Sequence, residues 1–335
     1  MREALFYEVL NDNIVQCSLC PHNCSIKENN TGFCRVRKNI NGVLYSLVYG
    51  IPVARSVDPI EKKPLFHFYP QSKTFSIATA GCNMHCKHCQ NADISQVTKE
   101  SFPSSKISVE EIIKEAKSHD VESIAYTYTE PTIYYEYAFD IAKLAHKSGI
   151  KNIFVTNGYI NKEPLEKIAP YLDAANIDLK GMSEQFYKKV CGANLQPVLD
   201  SIKRYYDLGI WIEITTLIIP GYNDKEQELK NIARFIADID PNIPWHVTGF
   251  YPTYKLTDTK ATTASLLDKA VEIGKENGLN FIYQGNIGKR ENTYCPQCRN
   301  LLVQRDGFNV SKNNIKKGIC SNCHHEIPGK WSTMI

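Results

Sequence analysis

Short apolar runs recur along the middle of the chain and predict seven β-strands. Each run consists largely of β-branched or apolar side chains, which is typical of buried strands. The predicted strands cover residues 74–78, 123–128, 152–155, 174–179, 211–219, 245–250 and 280–283.

Helical periodicity fills the intervals between these runs. The sequence Ser108-Val-Glu-Glu111 is a capping box that precedes apolar residues on one helical face. Pro131 begins a second helix, which Gly149 ends. Residues 225–239 and 263–276 have the same period. Strands that alternate with helices of this length predict βαβ units around a parallel sheet, either open or closed into a full or partial barrel.

The two flanks of the chain lack this alternation. Residues 1–70 and 289–335 carry cysteines, turns such as Asn41-Gly42 and little helical periodicity. Segments this small rarely sustain a core unaided. We therefore predict an α/β domain at 71–288, flanked by a cysteine-rich N-terminal module at 1–70 and a zinc-ribbon-like C-terminal module at 289–335, with metal ions holding both modules together.

Composition excludes several classes of protein. The chain has 335 residues, 43% hydrophobic and 22% charged, which suits a globular protein with a sizeable core. The net charge of +3 does not indicate a broad nucleic-acid-binding face. No run approaches the ~20 apolar residues of a membrane helix, and residues 1–10 lack the apolar stretch of a signal peptide. We expect a cytoplasmic protein.

Eleven of the twelve cysteines fall into three tight groups. In a long chain without an export signal, Cys-x-x-Cys pairs are more typical of metal sites than of disulfides. The groups are an N-terminal quartet (Cys17, Cys20, Cys24 and Cys34), a central triad (Cys82, Cys86 and Cys89) and a C-terminal quartet (Cys295, Cys298, Cys320 and Cys323). Cys191 stands apart, and we interpret it as a small apolar core residue.

The central triad directly follows the first predicted strand. Three thiolates spaced C-x-x-x-C-x-x-C can ligate three irons of a 4Fe–4S cluster, for which full protein ligation needs four. The missing fourth ligand leaves one iron open to a substrate or cofactor. A structural zinc site completed by His85 or His88 is the alternative.

The motifs around these cysteines resemble those of the radical S-adenosylmethionine (radical SAM) superfamily, and more narrowly the AmmeMemoRadiSam-type enzymes, relatives of the pyruvate formate-lyase activating enzymes. The resemblance rests on segments 17–24, 81–91, 244–248 and 294–331 and covers nearly the whole chain. It implies a partial (βα)6-type TIM barrel with a 4Fe–4S cluster on the central triad and SAM at the open iron. It also implies reductive cleavage of SAM to a 5′-deoxyadenosyl radical.

The resemblance further indicates which residues contact SAM. Glu130, in Tyr128-Thr-Glu-Pro131, is similar to the glutamate of the family's Gly-Gly-Glu motif for the methionine amino group, although Tyr128 and Thr129 replace the glycines. It implies that Asn157 contacts ribose or methionine and that Lys180 pairs with the methionine carboxylate. The remaining candidates are Thr215 and His246 near the ribose and His88 against the adenine. The alternative for each residue is a structural role as a turn, a helix cap or an interior polar group.

The two quartets predict further metal sites. The C-terminal quartet has the paired C-x-x-C spacing of a zinc ribbon, with rubredoxin-like iron as the minor alternative. The N-terminal quartet is compatible with zinc or with an auxiliary 4Fe–4S cluster. We favour zinc there, because a single quartet lacks the paired-cluster spacing of bacterial ferredoxins.

Three functions are open at the level of the sequence. The first is radical modification of a small organic or nucleobase substrate, by hydrogen abstraction or carbon–carbon bond formation. The second is activation of a protein partner by hydrogen abstraction, as in the activating enzymes. The third is a zinc-ribbon protein that binds or modifies nucleic acid, against which the weak net charge argues. The resemblance implies an electron donor such as flavodoxin or ferredoxin and makes Ammecr-like and Memo-like proteins candidate partners.

Overall fold

The computed structural model describes residues 1–10, 13–96, 105–288 and 291–332. Its strands are β1 (Arg2–Glu3), β2 (Tyr7–Val9), β3 (Val15–Cys17), β4 (Ser25–Ile26), β5 (Arg37–Ile40), β6 (Val43–Ser46), β7 (Pro52–Pro59), β8 (Lys73–Thr79), β9 (Ser123–Tyr126), β10 (Lys151–Thr156), β11 (Ala174–Asp178), β12 (Trp211–Ile218), β13 (Trp245–Gly249), β14 (Ile282–Gly285), β15 (Thr293–Tyr294), β16 (Leu301–Asp306), β17 (Asn309–Asn313), β18 (Ile315–Lys316) and β19 (Ile319–Cys320). Its α-helices are α1 (Ala92–Ser95), α2 (Val109–Ser118), α3 (Tyr135–Lys147), α4 (Lys162–Ile168), α5 (Glu184–Phe186), α6 (Gln196–Asp207), α7 (Glu226–Ile239) and α8 (Ala264–Glu276).

An eight-stranded sheet organises the molecule. Its strands run in the order β14-β13-β12-β11-β10-β9-β8-β7. Strands β8 to β14 pair in parallel with their sequence neighbours, whereas β7 pairs antiparallel with β8. The mixed α/β fold with a parallel sheet is therefore confirmed. All seven predicted strands are present, with β14 two residues later than predicted, and β7 was not predicted.

The predicted helices also form, each with its apolar face buried. Ser108 caps α2 through a complete capping box, in which its hydroxyl accepts from the Glu111 amide and the Glu111 carboxylate accepts from the Ser108 amide. Pro131 begins a 3₁₀ turn that leads directly into α3. These helices connect successive parallel strands, so the carboxyl ends of the strands lie at one edge of the sheet.

The N-terminal strands pack onto the same apolar core as the large sheet. Val15 and Val36 are fully buried in one cluster with Ile77 and Tyr126 of the sheet. The C-terminal strands have a smaller core of their own, which includes Leu302 and meets the sheet through aromatic residues Phe66, Phe281 and Tyr283. Within the described ranges, no helix combines the length and the apolar character that crossing a membrane requires.

The division into three parts at residues 70 and 288 stays a prediction. Residues 289, 290 and 333–335 of the proposed C-terminal module lie outside the described residues.

Candidate active site

The central triad lies on the loop that follows β8. Gly81, at the start of this loop, has a φ of +98°, and a Cβ there would lie 2.6 Å from Val36 Cγ1. Only glycine fits this position without displacing its neighbour. The loop turns Cys82 and Cys86, each 8% exposed, and the half-buried Cys89 toward a cavity of about 330 Å³.

Seven of the nine residues predicted for the cluster and SAM site line this one cavity. They come from the loops and strand ends of β8, β10, β11 and β12, at the carboxyl edge of the parallel sheet. The predicted residues on the cavity wall are Cys82, Cys86, Cys89, His88, Asn157, Lys180 and Thr215. Ligand sites of parallel α/β sheets occur at this edge, so the fold places these groups where chemistry is expected.

Lys180 is a half-buried cation on the cavity wall. Its Nζ donates to Asp178 Oδ2 over 2.7 Å. Burial alone would lower the pKa of Lys180, but the neighbouring Asp178 carboxylate outweighs burial and holds this pKa well above its usual value. Lys180 therefore carries a positive charge on the cavity wall at neutral pH, where it can receive an anionic group.

Asn157 is fixed from three sides. Its side-chain amide donates to Asn83 Oδ1 over 2.9 Å and lies 3.8 Å from Cys82 Sγ. Its side-chain oxygen accepts from the Tyr159 amide over 2.9 Å, and its backbone amide donates to Glu130 Oε2 over 2.8 Å. This network ties the end of β10 to the triad loop.

Glu130 does not line the cavity. Its fully buried carboxylate accepts hydrogen bonds from the Thr132 amide, the Thr132 hydroxyl, the Thr156 hydroxyl and the Asn157 amide. Burial raises the pKa of Glu130, although these hydrogen bonds oppose the rise. In the structure Glu130 positions the β10 end, and its carboxylate has no contact with the cavity.

His246 also lies away from the cavity, inside a separate polar network. Its Nε2 lies 2.7 Å from Glu213 Oε2, and its ring stacks on Tyr283 with centroids 5.3 Å apart. Glu213 accepts in addition from the backbone amides of Phe66 and His67. The structure therefore does not bring His246 together with Lys180 and the triad.

His88 is buried on the cavity wall and neutral. Burial, together with the nearby Lys180 charge, lowers the pKa of His88 to about 3. Its Nδ1 has no hydrogen-bond partner in the structure, and its ring stacks on Phe186 at 6.4 Å. A neutral imidazole with one free polar atom suits contact with a planar heterocycle.

Several wall residues were not predicted. Tyr128 has a φ of +65°, a backbone conformation that glycine adopts more readily. Two side-chain contacts hold Tyr128 in place: its hydroxyl donates to Asp58 over 2.7 Å, and Lys63 lies over its ring. Lys62 and Lys63 both ion-pair with Asp58. Because β7 and the segment after it were not assigned from the sequence, nothing indicated that Lys63 reaches the site.

Cys191 was interpreted as a core residue, and it is fully buried. Its sulfur, however, lies in one group with Cys86 and His88, whose ligand atoms are all within 4.8 Å of one another. Cys191 ends a π-helical turn, Tyr187–Cys191, that hydrogen-bonds the triad loop through two backbone carbonyls. Cys191 is far from the triad along the chain, so no local pattern indicated that the two are close in space.

The arrangement of sulfur atoms tests which metal fits the triad. In the part of the chain that the structure describes, two groups of possible ligands lie within 4.8 Å of one another: the C-terminal quartet, and Cys86 with His88 and Cys191. The three thiols of the triad share a cavity but do not converge to that degree. This suits a cluster in which each thiolate binds a different iron, rather than one ion.

Comparison with known proteins decides the family. The model of the Radical SAM superfamily matches residues 76–236, which contain the triad, and an uncharacterized protein of Methanocaldococcus jannaschii, MJ0808, is 47% identical over 98% of this chain and 99% of its own length. The chain belongs to the radical SAM superfamily. It is a radical SAM enzyme, and this membership implies a 4Fe–4S cluster and SAM.

More distant radical SAM proteins match the central part of the chain. The pyruvate formate-lyase-activating enzyme of Clostridium pasteurianum is 25% identical over 56% of this chain and 82% of its own length. Among solved structures, a radical SAM methyltransferase from Sphaerobacter thermophilus superposes with a TM-score of 0.52 at 14% identity, covering 66% of this chain and 68% of that one. This last likeness shows a shared fold.

Proposed function

We propose that this radical SAM enzyme is of the AmmeMemoRadiSam type and modifies a small organic or nucleobase substrate. We further propose that its large sheet is a partial (βα)6-type TIM barrel with metal-bearing modules at both ends. The order of parallel strands and the site at their carboxyl ends support the barrel. The relative that matches over 98% of the chain supports a family that includes both flanks.

In this proposal Cys82, Cys86 and Cys89 hold the cluster. A 4Fe–4S cluster held by these three thiolates would supply the electron for reductive cleavage of SAM, and hydrogen abstraction from the substrate would follow. The protein supplies the geometry, because the loop after β8 would hold the three thiolates on the wall of the cavity.

The other residues orient SAM. Lys180 pairs with the methionine carboxylate, because it is a cation on the cavity wall whose charge acts on Cys86 and Cys89 of the triad. Asn157, which follows β10, and Thr215, in β12, offer hydrogen bonds, and His88 lies against the adenine. Glu130 and His246 act indirectly. Glu130 fixes the position of Asn157. His246 fixes the paired strands β12 and β13, and β12 carries Thr215.

The cavity is the observation that carries the proposed substrate class. Its volume of about 330 Å³ is in the range of small-molecule sites. Lys62, Lys63 and Lys180 line it, and their ion-pair partners Asp58 and Asp178 leave an excess of one positive charge, so a compact polar or anionic molecule is the favoured occupant. The alternative, activation of a protein partner, rests on the sequence similarity to a pyruvate formate-lyase-activating enzyme.

A size-fractionation experiment separates these two functions. Cluster-loaded enzyme with SAM and a flavodoxin or ferredoxin reductant is mixed with either the small-molecule filtrate or the retained protein fraction of a lysate from the source cells. We expect the filtrate to stimulate formation of 5′-deoxyadenosine, and the Cys86→Ala variant to show no stimulation. Stimulation only by the protein fraction, with Ammecr-like or Memo-like proteins as the first candidates, would assign the enzyme to protein activation.

A further inference from the structure

We propose that the N-terminal quartet binds a second 4Fe–4S cluster, in contact with the triad loop, rather than structural zinc. The C-x-x-C spacing within the quartet is compatible with either metal, so the sequence leaves the choice open. The three-dimensional placement of the sulfur atoms, the lining of the space between them and the contacts of the surrounding loop decide it.

The C-terminal quartet is an internal reference for a single-ion site. Its sulfur atoms approach to 3.6 Å for Cys295–Cys323 and 3.7 Å for Cys298–Cys320. Four thiolates at ~2.3 Å from one zinc ion are ~3.8 Å apart, so this quartet has the dimensions of a tetrahedral zinc site.

The N-terminal quartet is more open than this reference. Its four thiols surround one cavity of about 20 Å³, which is the space of about one water molecule. Among the described residues, no three of these sulfur atoms fall within 4.8 Å of one another, as is also true of the central triad. Four thiolates around one zinc ion converge as in the reference quartet, whereas a cluster that gives each thiolate its own iron holds them farther apart, as here.

The walls of this cavity suit a buried anionic cluster. Leu19, Ile26, Phe33 and Ile133 contribute apolar surface, and Arg37 contributes the positive charge. Arg37 is 2% exposed, and its terminal nitrogens bind Glu136 and the Leu5 carbonyl. Its Nε is buried without a partner and belongs to a side chain on the cavity wall, so an acceptor such as a cluster sulfur would satisfy it.

The quartet touches the triad loop directly. A Cβ on Gly81, the residue before Cys82, would lie 3.0 Å from the Cys34 carbonyl oxygen. His22, between Cys20 and Cys24, has its Nε2 2.8 Å from the Asn83 carbonyl oxygen. The Phe33 ring stacks on His22 at 4.1 Å and on His85 at 4.0 Å, which joins the two cysteine loops through one aromatic column.

This contact suits an electron relay, a role that rests on the proposed function. A one-electron donor of the flavodoxin or ferredoxin class reduces the N-terminal cluster by one electron and is itself oxidised. The same electron then passes to the central cluster, which returns the N-terminal cluster to its oxidised state. No proton or bond changes hands in either transfer.

Metal analysis of matched variants tests the assignment. The triad variant, Cys82→Ala with Cys86→Ala and Cys89→Ala, keeps the N-terminal quartet intact and leaves it as the proposed iron site. After anaerobic reconstitution we expect about four iron and four sulfide per chain and about one zinc. About two zinc and no iron in this variant would overturn the proposal.

A second variant separates this inference from the proposed function. Replacing the four quartet cysteines by serine should leave about four iron per chain, whose reduced EPR signal changes when SAM is added. The iron of the triad variant should show no SAM response, because its ligation is complete. If the serine variant loses its iron while the triad variant keeps its own, the central site is contradicted. If flavodoxin reduces the central cluster at equal rates in the serine variant and the wild type, the relay is overturned.

Discussion

At the scale of single residues, Glu130 shows how a buried carboxylate can serve a site without touching it. Its two oxygens satisfy four donors, two in the 3₁₀ turn before α3 and two at the end of β10. Glu130→Gln replaces one acceptor by a donor, so at least one neighbouring N–H or O–H faces another donor. We expect a loss of about 1–3 kcal/mol in the free energy of unfolding and weaker SAM binding. Urea unfolding measures the first effect, with the exposed Glu163→Gln as control; equal stability of the two variants would contradict this role.

Lys180 is expected to act on SAM rather than on folding. Its partner Asp178 keeps a side chain 35% exposed, so removing the cation leaves a carboxylate that water can still reach. Loss of one charge-assisted hydrogen bond of about 1.5–3 kcal/mol predicts that Lys180→Met raises the Kd for SAM by about ten- to a hundredfold. Equilibrium binding to cluster-loaded enzyme checks this, with the exposed Lys188→Met as control. An unchanged Kd at normal cluster content would remove Lys180 from the SAM site.

The residue scale also shows what the sequence could reveal. The triad was recognisable because its ligands are close together in the chain. Asn157, Lys180, Thr215 and His88 were predicted from the family resemblance, and all four line the cavity. Cys191, Tyr128 and Lys63 were missed as site residues because their contacts join segments far apart in sequence, and no local pattern encodes such contacts.

At the scale of elements, buried strands were predictable and the edge strand was not. The parallel strands are short apolar runs, because both faces of the sheet are covered. Strand β7 begins and ends with proline and is mostly half-exposed, so it lacks both the apolar run and a clean alternation. Helix α6, which begins with Gln196-Pro197, was likewise not assigned despite its buried face.

His67 connects elements that no pattern in the sequence predicts to be paired. Its Nδ1 lies 2.7 Å from the Pro328 carbonyl, which can only accept, so Nδ1 carries the proton. Nε2 then accepts from the Tyr283 hydroxyl over 2.7 Å. The chain continues from Tyr283 to Thr293 and on to Arg305, in the C-terminal strands.

The buried His67 in this series of hydrogen bonds predicts that the protein loses stability in acid. Burial lowers the pKa of His67 to about 4; the Glu213 carboxylate opposes this shift, while Arg305 and His246 add to it. Between pH ~6.5 and ~4 the unfolded state binds a proton that the folded state does not, so the free energy of unfolding falls as pH falls, by on the order of 3 kcal/mol.

Urea unfolding at several pH values tests the prediction for His67. The His67→Asn variant keeps one donor and one acceptor but does not titrate, so its stability should fall less over this interval than that of the wild type. Parallel pH profiles for the two proteins would contradict the role of His67.

At the scale of the whole molecule, the flanks differ in how they join the sheet. The N-terminal strands share its core, whereas the C-terminal strands form a second core anchored by Arg305, whose guanidinium donates to the Phe66 carbonyl and lies over the Phe66 ring. The sequence indicated a metal site in each flank. Which flank shares the hydrophobic core of the large sheet depends on long-range packing, which no local pattern encodes.

The C-terminal quartet is expected to stabilise its own strands. Cys298→Ala removes one of four converging thiolates, so zinc should be lost and residues 293–332 should become sensitive to limited proteolysis. SAM cleavage should persist in the protein that survives, because this quartet does not line the cavity. The exposed Ser321→Ala serves as control. Loss of cleavage in well-folded, protease-resistant Cys298→Ala would show that this site does more than stabilise.

The most direct test of the central claim is SAM cleavage by the anaerobically reconstituted and reduced enzyme, with nucleoside products resolved by mass spectrometry. We predict 5′-deoxyadenosine from the wild type and none from Cys86→Ala. Methylthioadenosine as the sole nucleoside would instead indicate transfer of the aminocarboxypropyl group of SAM. A central triad that binds only zinc, or a Cys86→Ala variant that cleaves SAM at the wild-type rate, would contradict the account.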